Sequence, residues 1–169
     1  MFGCIDEMLT LAAMISCEPV FLPTKDTKLL LKIKKKIGAK EGDHLLLINV
    51  FKFYNRMNSK NDKRKFCTEF RVNERSIQKA QVLRDSLEKI MRKHGYNTKK
   101  TDNDTEGILR CVCTGYFSNA AQRLPDGTYM VVATKEIVLL HPTSLLNAVH
   151  PDWIIFHEIV KTGQTGIFS

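Results

Sequence analysis

Asp43 and His44 are neighbouring residues whose types could carry acid–base chemistry, since a carboxylate can orient an imidazole that moves a proton. They stand directly before the run LLLINVFKFY, which is apolar on nearly all sides of a helix and predicts a buried helix. A carboxylate at a helix start accepts from free backbone N–H groups and meets the positive end of the helix dipole. We therefore predict that Asp43 is the N-cap of this helix and that His44 is structural.

The cysteines are the other residues that could act as nucleophiles or metal ligands. Cys111 and Cys113 are two positions apart, which on a helix directs them about 200° from each other and disfavours a zinc site shared with His141. Nothing in the sequence indicates a lowered thiol pKa for Cys67, even with His94 as a partner. Five scattered cysteines in apolar segments predict free, buried thiols in a reducing compartment. We expect no catalytic residue and no metal site.

Charge is the strongest chemical signal in the chain. Its 169 residues contain 26 Lys and Arg against 18 Asp and Glu, a formal net charge of +8 that favours polyanionic partners. No phosphate-loop, dinucleotide-binding, nucleophile-elbow or HExxH motif occurs, which argues against nucleotide hydrolysis or hydride transfer by these residues alone. The stretch MLTLAAMISC has no basic leader and is too short to span a bilayer, so we expect neither a signal peptide nor a membrane segment.

Apolar periodicity predicts a helical first part. Residues 5–16 have helical spacing, and residues 25–36 form a basic amphipathic segment whose charged side could face phosphate, a membrane surface or solvent. Residues 55–65 are polar and predict a loop, followed by the short helix FCTEF. Asn73 is then a suitable cap for a long helix. The outer surface of that helix is predicted to be basic through Arg75, Lys79, Arg84, Lys89, Arg92 and Lys93.

The chain changes character after a further helix, which apolar spacing predicts over residues 108–121. TYMVVAT, EIVLLHP and WIIFHEIVK are rich in β-branched and aromatic residues and predict three strands, with a fourth starting near Gly166. So few strands leave a sheet open rather than closed into a barrel. Tyr116, Tyr129 and Phe156 are aromatic residues in this region that could stack on unpaired bases or pack in the core.

Several segments occur in an order and spacing that resembles one family, the C-terminal region of DEAH-box/RHA-type RNA helicases. They are FGCIDEMLTLAAMIS, EGDHLLLINVFKFY, FCTEF, LRDSLEKIMRKHG, ILRCVCTGYFSNAA, GTYMVV, LLHPTSLL and PDWIIFHEIVKT. The likeness covers almost the whole chain and is nearest to the spliceosome-associated members. It implies a helicase-associated (ratchet) helical domain followed by an oligonucleotide/oligosaccharide-binding (OB) fold, two units that line a channel for single-stranded RNA.

The resemblance also implies which residues face RNA. One group lies at the start of the long helix and comprises Arg71, Asn73, Arg75, Ser76 and Lys79. The other lies around one edge of the strand region and comprises Tyr116, Asn119, Tyr129, His141 and Ser144. The motor domains of the family, which bind ATP and Mg²⁺, have no counterpart motif here, so no cofactor is expected for these residues. The ending TGQTGIFS departs from the family pattern and indicates an incomplete OB-fold barrel.

Together these observations predict an α+β protein, a mainly helical ratchet-like bundle followed by a partial OB-fold. We place the ratchet domain at residues 1–104 and the last helix plus the truncated β region at residues 105–169. The expected function is that of a nuclear, or alternatively nucleo-cytoplasmic, RNA-binding module of an ATP-dependent RNA helicase involved in mRNA splicing, with single-stranded RNA and the motor domains as partners. The alternative is a protein-interaction module whose sheet edge receives a glycine-rich-patch activator.

Overall fold

Five helices precede a six-stranded sheet in a computed structural model that describes residues 3–22, 32–33, 36–37, 40–98, 105–161 and 165–168, with residues 161 and 165–168 described by their backbone. The helices are α1 (Ile5–Ile15), α2 (Asp43–Arg56), α3 (Lys60–Phe70), α4 (Glu74–Lys93) and α5 (Thr105–Gly115). The strands are β1 (Ala120–Arg123), β2 (Tyr129–Val131), β3 (Ile137–Leu140), β4 (Trp153–Ile155), β5 (Glu158–Lys161) and β6 (Thr165–Phe168). The predicted α+β architecture is confirmed.

The loop predicted over residues 55–65 is wrong in its second half, because α3 begins at Lys60. Ser59 is the N-cap of α3, and its hydroxyl accepts from the Asn61 N–H at 3.2 Å. Lysine and arginine have high helix propensity, so a charged segment behind a good cap forms a helix without a wide apolar stripe. The predicted helix FCTEF is the second half of α3.

The helix predicted over residues 108–121 is too long at its C-terminal end. The helix α5 ends at Gly115, and Ala120–Arg123 is the strand β1, which pairs with both β2 and β4. Ala121 is fully buried in the sheet core, where its small side chain leaves room for larger neighbours. Two consecutive alanines fit a helix and a strand equally well, so periodicity could not detect the change.

The strand order is β4-β1-β2-β3-β6-β5, antiparallel except where β6 runs parallel to β3. The predicted strand WIIFHEIVK is split into β4 and β5, which lie at opposite ends of this order with only Phe156 and His157 between them. The three residue steps from Ile155 to Glu158 span at most roughly 11 Å, so the sheet must curl to bring its edges together. No pairing joins β4 to β5 among the described strands. The sheet is therefore not closed, as expected for a partial OB-fold.

The helical and β parts share their cores through two neighbouring residues. Leu145 and Leu146 lie in a short 3₁₀ helix, Leu145–Ala148, between β3 and β4. Leu145 packs in the helical core formed by α1 to α4, whereas Leu146 packs in the sheet core. A third core joins Ile108 and Val112 of α5 to α1 and α2. The domain division at residue 104 stays a prediction. The helix α5 follows that boundary in sequence, but it packs against the helical domain.

The basic segment predicted over residues 25–36 lies largely outside the described residues. Of its described lysines, Lys32 pairs with Glu69 at 2.9 Å and Lys36 with the same carboxylate at 3.7 Å. Both ammonium groups also lie within 6 Å of the Phe70 ring centroid, at 5.8 and 5.3 Å. Among the helices that are described, none is both long and apolar enough to cross a membrane.

Candidate nucleic-acid interface

The corner between α3 and α4 carries the first group of predicted RNA-facing residues. Arg71 ends α3 with φ of 50°, a left-handed conformation that a non-glycine residue adopts only with support from its neighbours. Backbone pairing gives that support, since the Leu22 N–H donates to the Arg71 carbonyl and the Asn73 N–H to the Val20 carbonyl, both at 2.8 Å. The corner is therefore held in one position against the segment that follows α1.

Two exposed guanidinium groups stand beside the N-terminus of α4. Asn73 caps this helix as predicted, its side-chain oxygen accepting from the Arg75 N–H at 3.2 Å. The side chains of Arg71 and Arg75 are exposed, and within the described ranges neither makes an ion pair. Arginine and a helix N-terminus both favour phosphate. This arrangement can bind the backbone of a nucleic acid.

The remaining predicted residues of α4 differ in their accessibility. Lys79 is exposed, and its ammonium contacts the Glu18 carboxylate at 2.5 Å, a hydrogen bond that lowers the pKa of Glu18. Such an exposed pair contributes little stability, so an RNA phosphate can compete for Lys79. Ser76 is fully buried and its hydroxyl donates to the Pro19 carbonyl at 3.4 Å. Ser76 therefore positions α4 and does not reach a ligand.

Arg84 does not belong to the basic outer surface where the sequence predicted it. Nine residues after Arg75 the helix has turned by about 180°, so Arg84 faces α1. Its guanidinium pairs with Asp6, with Glu88 at 3.0 Å and, through Nε, with the Thr10 hydroxyl at 3.2 Å. Only 14% of its side chain is exposed. Arg84 joins α1 to α4 and is not available to RNA.

The turn between α5 and β1 contains Tyr116 and Asn119 of the second predicted group. The Tyr116 ring stacks on His44, with centroids 6.2 Å apart and planes 24° from parallel. The Asn119 N–H donates to the Tyr116 carbonyl at 2.8 Å, while the Asn119 carbonyl accepts from the Phe156 N–H at 3.1 Å. Both residues are partly buried, so the turn joins the helices to the sheet and presents only its edge to solvent.

Tyr129 and Phe156 cannot offer stacking faces, contrary to what their aromatic character suggested. Tyr129 is fully buried, and its hydroxyl donates to the Pro151 carbonyl at 2.8 Å. Burial raises the pKa of Tyr129. Phe156 is 3% exposed and packs in the same sheet core. Their positions on inward-facing sites of the sheet explain this outcome.

His141 and Ser144 lie in the turn that follows β3. The His141 Nδ1 contacts the Thr143 hydroxyl at 2.8 Å, and burial lowers the pKa of His141. Ser144 is buried and caps the 3₁₀ helix, its hydroxyl accepting from the Leu146 N–H at 3.2 Å. Of this pair only His141, which is half-buried, has surface available to a ligand.

The two turns of the second group lie at opposite ends of the sheet. The strands β1 and β3 both run antiparallel to β2, and the first turn precedes β1 while the second follows β3.

The first turn of the helix α2 contacts both of these regions. Its N-cap is Gly42, with φ of 122°, and not Asp43 as predicted. Asp43 instead accepts the Leu145 N–H at 2.8 Å and so supports the 3₁₀ helix of the β part.

His44 is structural, as predicted. Its Nε2 lies 3.1 Å from Nδ1 of His157, the residue between β4 and β5, and its side chain is buried. Burial, and next the neighbouring His157, lower the pKa of His44 to about 4. A neutral, enclosed imidazole that contacts a second imidazole holds α2 to the sheet and has no access to a substrate.

The buried thiols of Cys4 and Cys67 are not activated. Burial raises the pKa of Cys67 to about 11. Burial, together with the hydrogen-bonded Cys111 thiol, raises the pKa of Cys4 to about 12. Both groups are protonated at neutral pH and are therefore poor nucleophiles. Across the part of the chain that the structure describes, no group of three or more His, Cys, Asp and Glu residues is placed to hold a metal ion.

Some exposed residues suited to binding were missed by the sequence analysis. Phe117 is 77% exposed on the turn before β1, and Trp153 is 58% exposed on β4. Across the outer face of the sheet, cross-strand register aligns Ile137, Met130, Gln122 and Trp153 in one row. The run WIIF is apolar throughout, so no alternation in the sequence indicated which face of β4 carries Trp153. Phe117 lies in a short turn, which has no repeating pattern of apolar residues from which its exposure could be predicted.

Comparison with known proteins agrees with this architecture. The family model described as "Helicase associated domain (HA2), ratchet-like" matches residues 1–47. The model described as "Oligonucleotide/oligosaccharide-binding (OB)-fold" matches residues 108–167, which include most of α5 and all of the sheet except the last residue of β6.

Curated relatives match along nearly the whole chain. The probable ATP-dependent RNA helicase DHX35 of Homo sapiens is 30% identical over 96% of this chain and 23% of its own length. The pre-mRNA-splicing factor ATP-dependent RNA helicase DEAH10 of Arabidopsis thaliana is 31% identical over 96% and 24%. The pre-mRNA-splicing factor prp22 of Schizosaccharomyces pombe is 29% identical over 96% and 14%. The chain thus spans less than a quarter of the length of each of these relatives. It is a helicase-associated plus OB-fold region of the kind found at the C-terminus of DEAH-box RNA helicases.

Proposed function

We propose that this chain is a non-catalytic module that binds single-stranded RNA for a DEAH-box ATP-dependent RNA helicase. The observation that carries the proposal is the pair of exposed guanidinium groups, Arg71 and Arg75, beside the N-terminus of α4. The matched OB-fold region and relatives named as RNA helicases support RNA as the ligand. ATP and Mg²⁺ would bind in motor domains, for which these residues carry no motif.

Phosphate binding at this corner follows from its geometry. The hydrogen bonds of Val20 and Leu22 fix the backbone of the corner, so only the side chains of Arg71 and Arg75 must be ordered when they bind RNA. Lys79 lies one helical turn beyond Arg75 and would exchange Glu18 for a phosphate. The RNA would contact His141, Tyr116 and Asn119 only through the exposed edges of their side chains.

The test is binding of a fluorescein-labelled oligouridylate to the full chain at several salt concentrations. We expect the logarithm of the association constant to fall linearly with the logarithm of salt concentration. The double variant Arg71→Gln/Arg75→Gln should make this slope shallower by about 1.4, because each lost phosphate contact on a single strand removes about 0.7. Lys93→Gln, about 27 Å from Arg75 along α4, is the matched control. Binding that ignores salt would refute the proposal.

A protein-interaction module is the second candidate, and the outer face of the sheet favours it. Ile137 and Trp153 are 50% and 58% exposed, and Met130 and Gln122 lie between them in the same row. Such a face could receive the motor domains or a glycine-rich-patch activator. A partner retained after nuclease treatment, by a chain that binds no oligouridylate, would favour this function over RNA binding.

The cellular setting belongs to the same proposal. Relatives named as pre-mRNA-splicing factors support action in mRNA splicing and hence in the nucleus. Free cysteines agree with a reducing compartment. Localisation of a fluorescently tagged full-length protein tests this part.

A further inference from the structure

A pocket of about 460 Å³ opens on the side of α2 that faces the start of α5. Its floor is apolar and is formed by Leu45, Ile48 and Ile108, all buried. Phe53 stands at its side with 37% of the residue exposed. The volume falls in the range of pockets that hold small organic groups. An apolar floor beside an exposed ring suits a flat aromatic ligand such as a nucleobase.

The rim of the pocket carries positive charge. Arg56 and Lys40 line it and are exposed, and within the described ranges neither makes an ion pair. Lys52 also lines it, but its ammonium contacts the buried Glu7 carboxylate at 2.9 Å, which holds the side chain in place and offsets its charge. Glu41 is the acidic residue of the lining. The rim therefore suits an anion attached to the aromatic group.

Free cations continue beyond the pocket onto α3. Lys60, Arg64 and Lys65 are exposed and, among the residues that the structure describes, have no acidic partner within 4 Å. Lys60 follows Arg56 by four residues, so their backbones lie at most roughly 14 Å apart. A nucleotide in the pocket would therefore have cations available for the phosphates of its neighbours.

We infer that this pocket binds one base of single-stranded RNA, stacked on Phe53, with its phosphate on Arg56 and the adjoining backbone along the start of α3. This inference rests on the proposed function and adds a second contact, distinct from the corner at Arg71 and Arg75. An acidic peptide would use the cations but not the ring and the apolar floor, which favours RNA.

The experiment uses the full chain and the same labelled oligouridylate. Phe53→Ala should raise Kd about fivefold or more, because base–aromatic stacking is lost, while Phe53→Trp should keep or lower Kd. Arg56→Gln should make the salt slope shallower by about 0.7. Tyr96→Ala and Lys93→Gln, exposed residues near the C-terminal end of α4, are the matched controls and should leave Kd within twofold. Melting temperatures of all variants check folding.

Crosslinking identifies the ligand's position directly. An oligouridylate that contains 4-thiouridine should crosslink to the peptide that carries Phe53, and Phe53→Ala should abolish that adduct. Unchanged affinity of Phe53→Ala, together with weaker binding of Arg71→Gln/Arg75→Gln, would overturn the pocket and leave the proposed function standing. The pocket would also be overturned as a binding site if Phe53→Ala lost no more RNA affinity than the control Tyr96→Ala. Absence of salt-sensitive binding by the unaltered chain would refute both.

Discussion

The carboxylate of Asp43 accepts the backbone N–H of Leu145 at 2.8 Å, across 102 positions of sequence. A residue that opens a buried helix thus completes the start of a 3₁₀ helix in the other half of the molecule. Gly42 contributes to the same contact, since a Cβ at this position would lie 3.4 Å from the Leu146 side chain. The first turn of α2 is therefore the joint between the helices and the sheet.

Asp43→Ala should lower the free energy of unfolding by about 1–2 kcal/mol, because the Leu145 N–H loses its acceptor in a buried site. Asp43→Asn keeps an acceptor oxygen and should cost less. Urea denaturation measures both, with Asp152→Ala as the control, since the Asp152 side chain is 81% exposed and pairs with Arg123 only at 3.3 Å. Equal losses for Asp43→Ala and Asp152→Ala would contradict the structural role of Asp43.

Stability should fall as the pH is lowered from about 6.5 towards 4, and His44 should account for part of the fall. The pKa of His44 in the folded chain is about 4, below its ordinary value of 6.5, so in this window the unfolded chain binds a proton that the folded chain does not. The pKa of the facing His157 is lowered too, first by burial. His44 alone should contribute about 3 kcal/mol across the window.

The measurement is the free energy of unfolding at pH 7 and at pH 5 for the unaltered chain and for His44→Gln. The variant should lose less stability between these values, because its side chain does not titrate. Carboxylates titrate in both proteins and cancel in the comparison. Parallel pH dependences would show that His44 does not keep its depressed pKa.

Arg84→Gln should destabilise the chain by about 2–4 kcal/mol, because it leaves Asp6 without its cation in a site where only 11% of that side chain is exposed. Lys79→Gln on the same helix should change stability by less than about 1 kcal/mol, since the pair of Lys79 with Glu18 is exposed. Thermal unfolding distinguishes the two. The effects on RNA affinity should have the opposite order. Lys79→Gln should bind RNA more weakly than the unaltered chain, whereas Arg84→Gln, where it is folded, should bind with unchanged affinity.

Tyr129→Phe should lower stability by about 1 kcal/mol, because the Pro151 carbonyl loses its hydrogen-bond donor, and should not change RNA affinity. Phe117→Ala is the complementary variant, since Phe117 is 77% exposed and packs against little. It should leave the melting temperature unchanged within about 1 °C. A loss of RNA affinity in Tyr129→Phe without any loss of stability would contradict the structural role of Tyr129 and indicate that it contacts RNA.

Local signals predicted the helices well where an apolar period and a cap occur together, as at Asn73 and α4. They failed where a side chain serves a distant element. Asp43 has the type and position of an N-cap, and only the folded chain brings the Leu145 N–H to its carboxylate. Arg84 belongs to a basic helix, but the direction it faces depends on where α1 packs.

The candidate site was predictable in part for the same reason. Arg71 and Arg75 are exposed as expected, whereas Ser76 of the same first turn is buried. Ser76 and Tyr129 have polar groups that sequence reasoning assigned to ligand contact, whereas each side chain is buried and its hydroxyl donates to a backbone carbonyl. The pocket beside Phe53 depends on the approach of α5 to α2, which no local pattern encodes.

Leu145 and Leu146 are covalent neighbours that belong to different cores. Neither half can therefore melt while the other keeps all of its contacts, and denaturation should proceed as a single cooperative event. A protein cut after residue 104 would leave the helical piece with a vacancy that Leu145 had filled and would strip α5 from the surface that it covers. Expression of either piece alone should yield an aggregation-prone product.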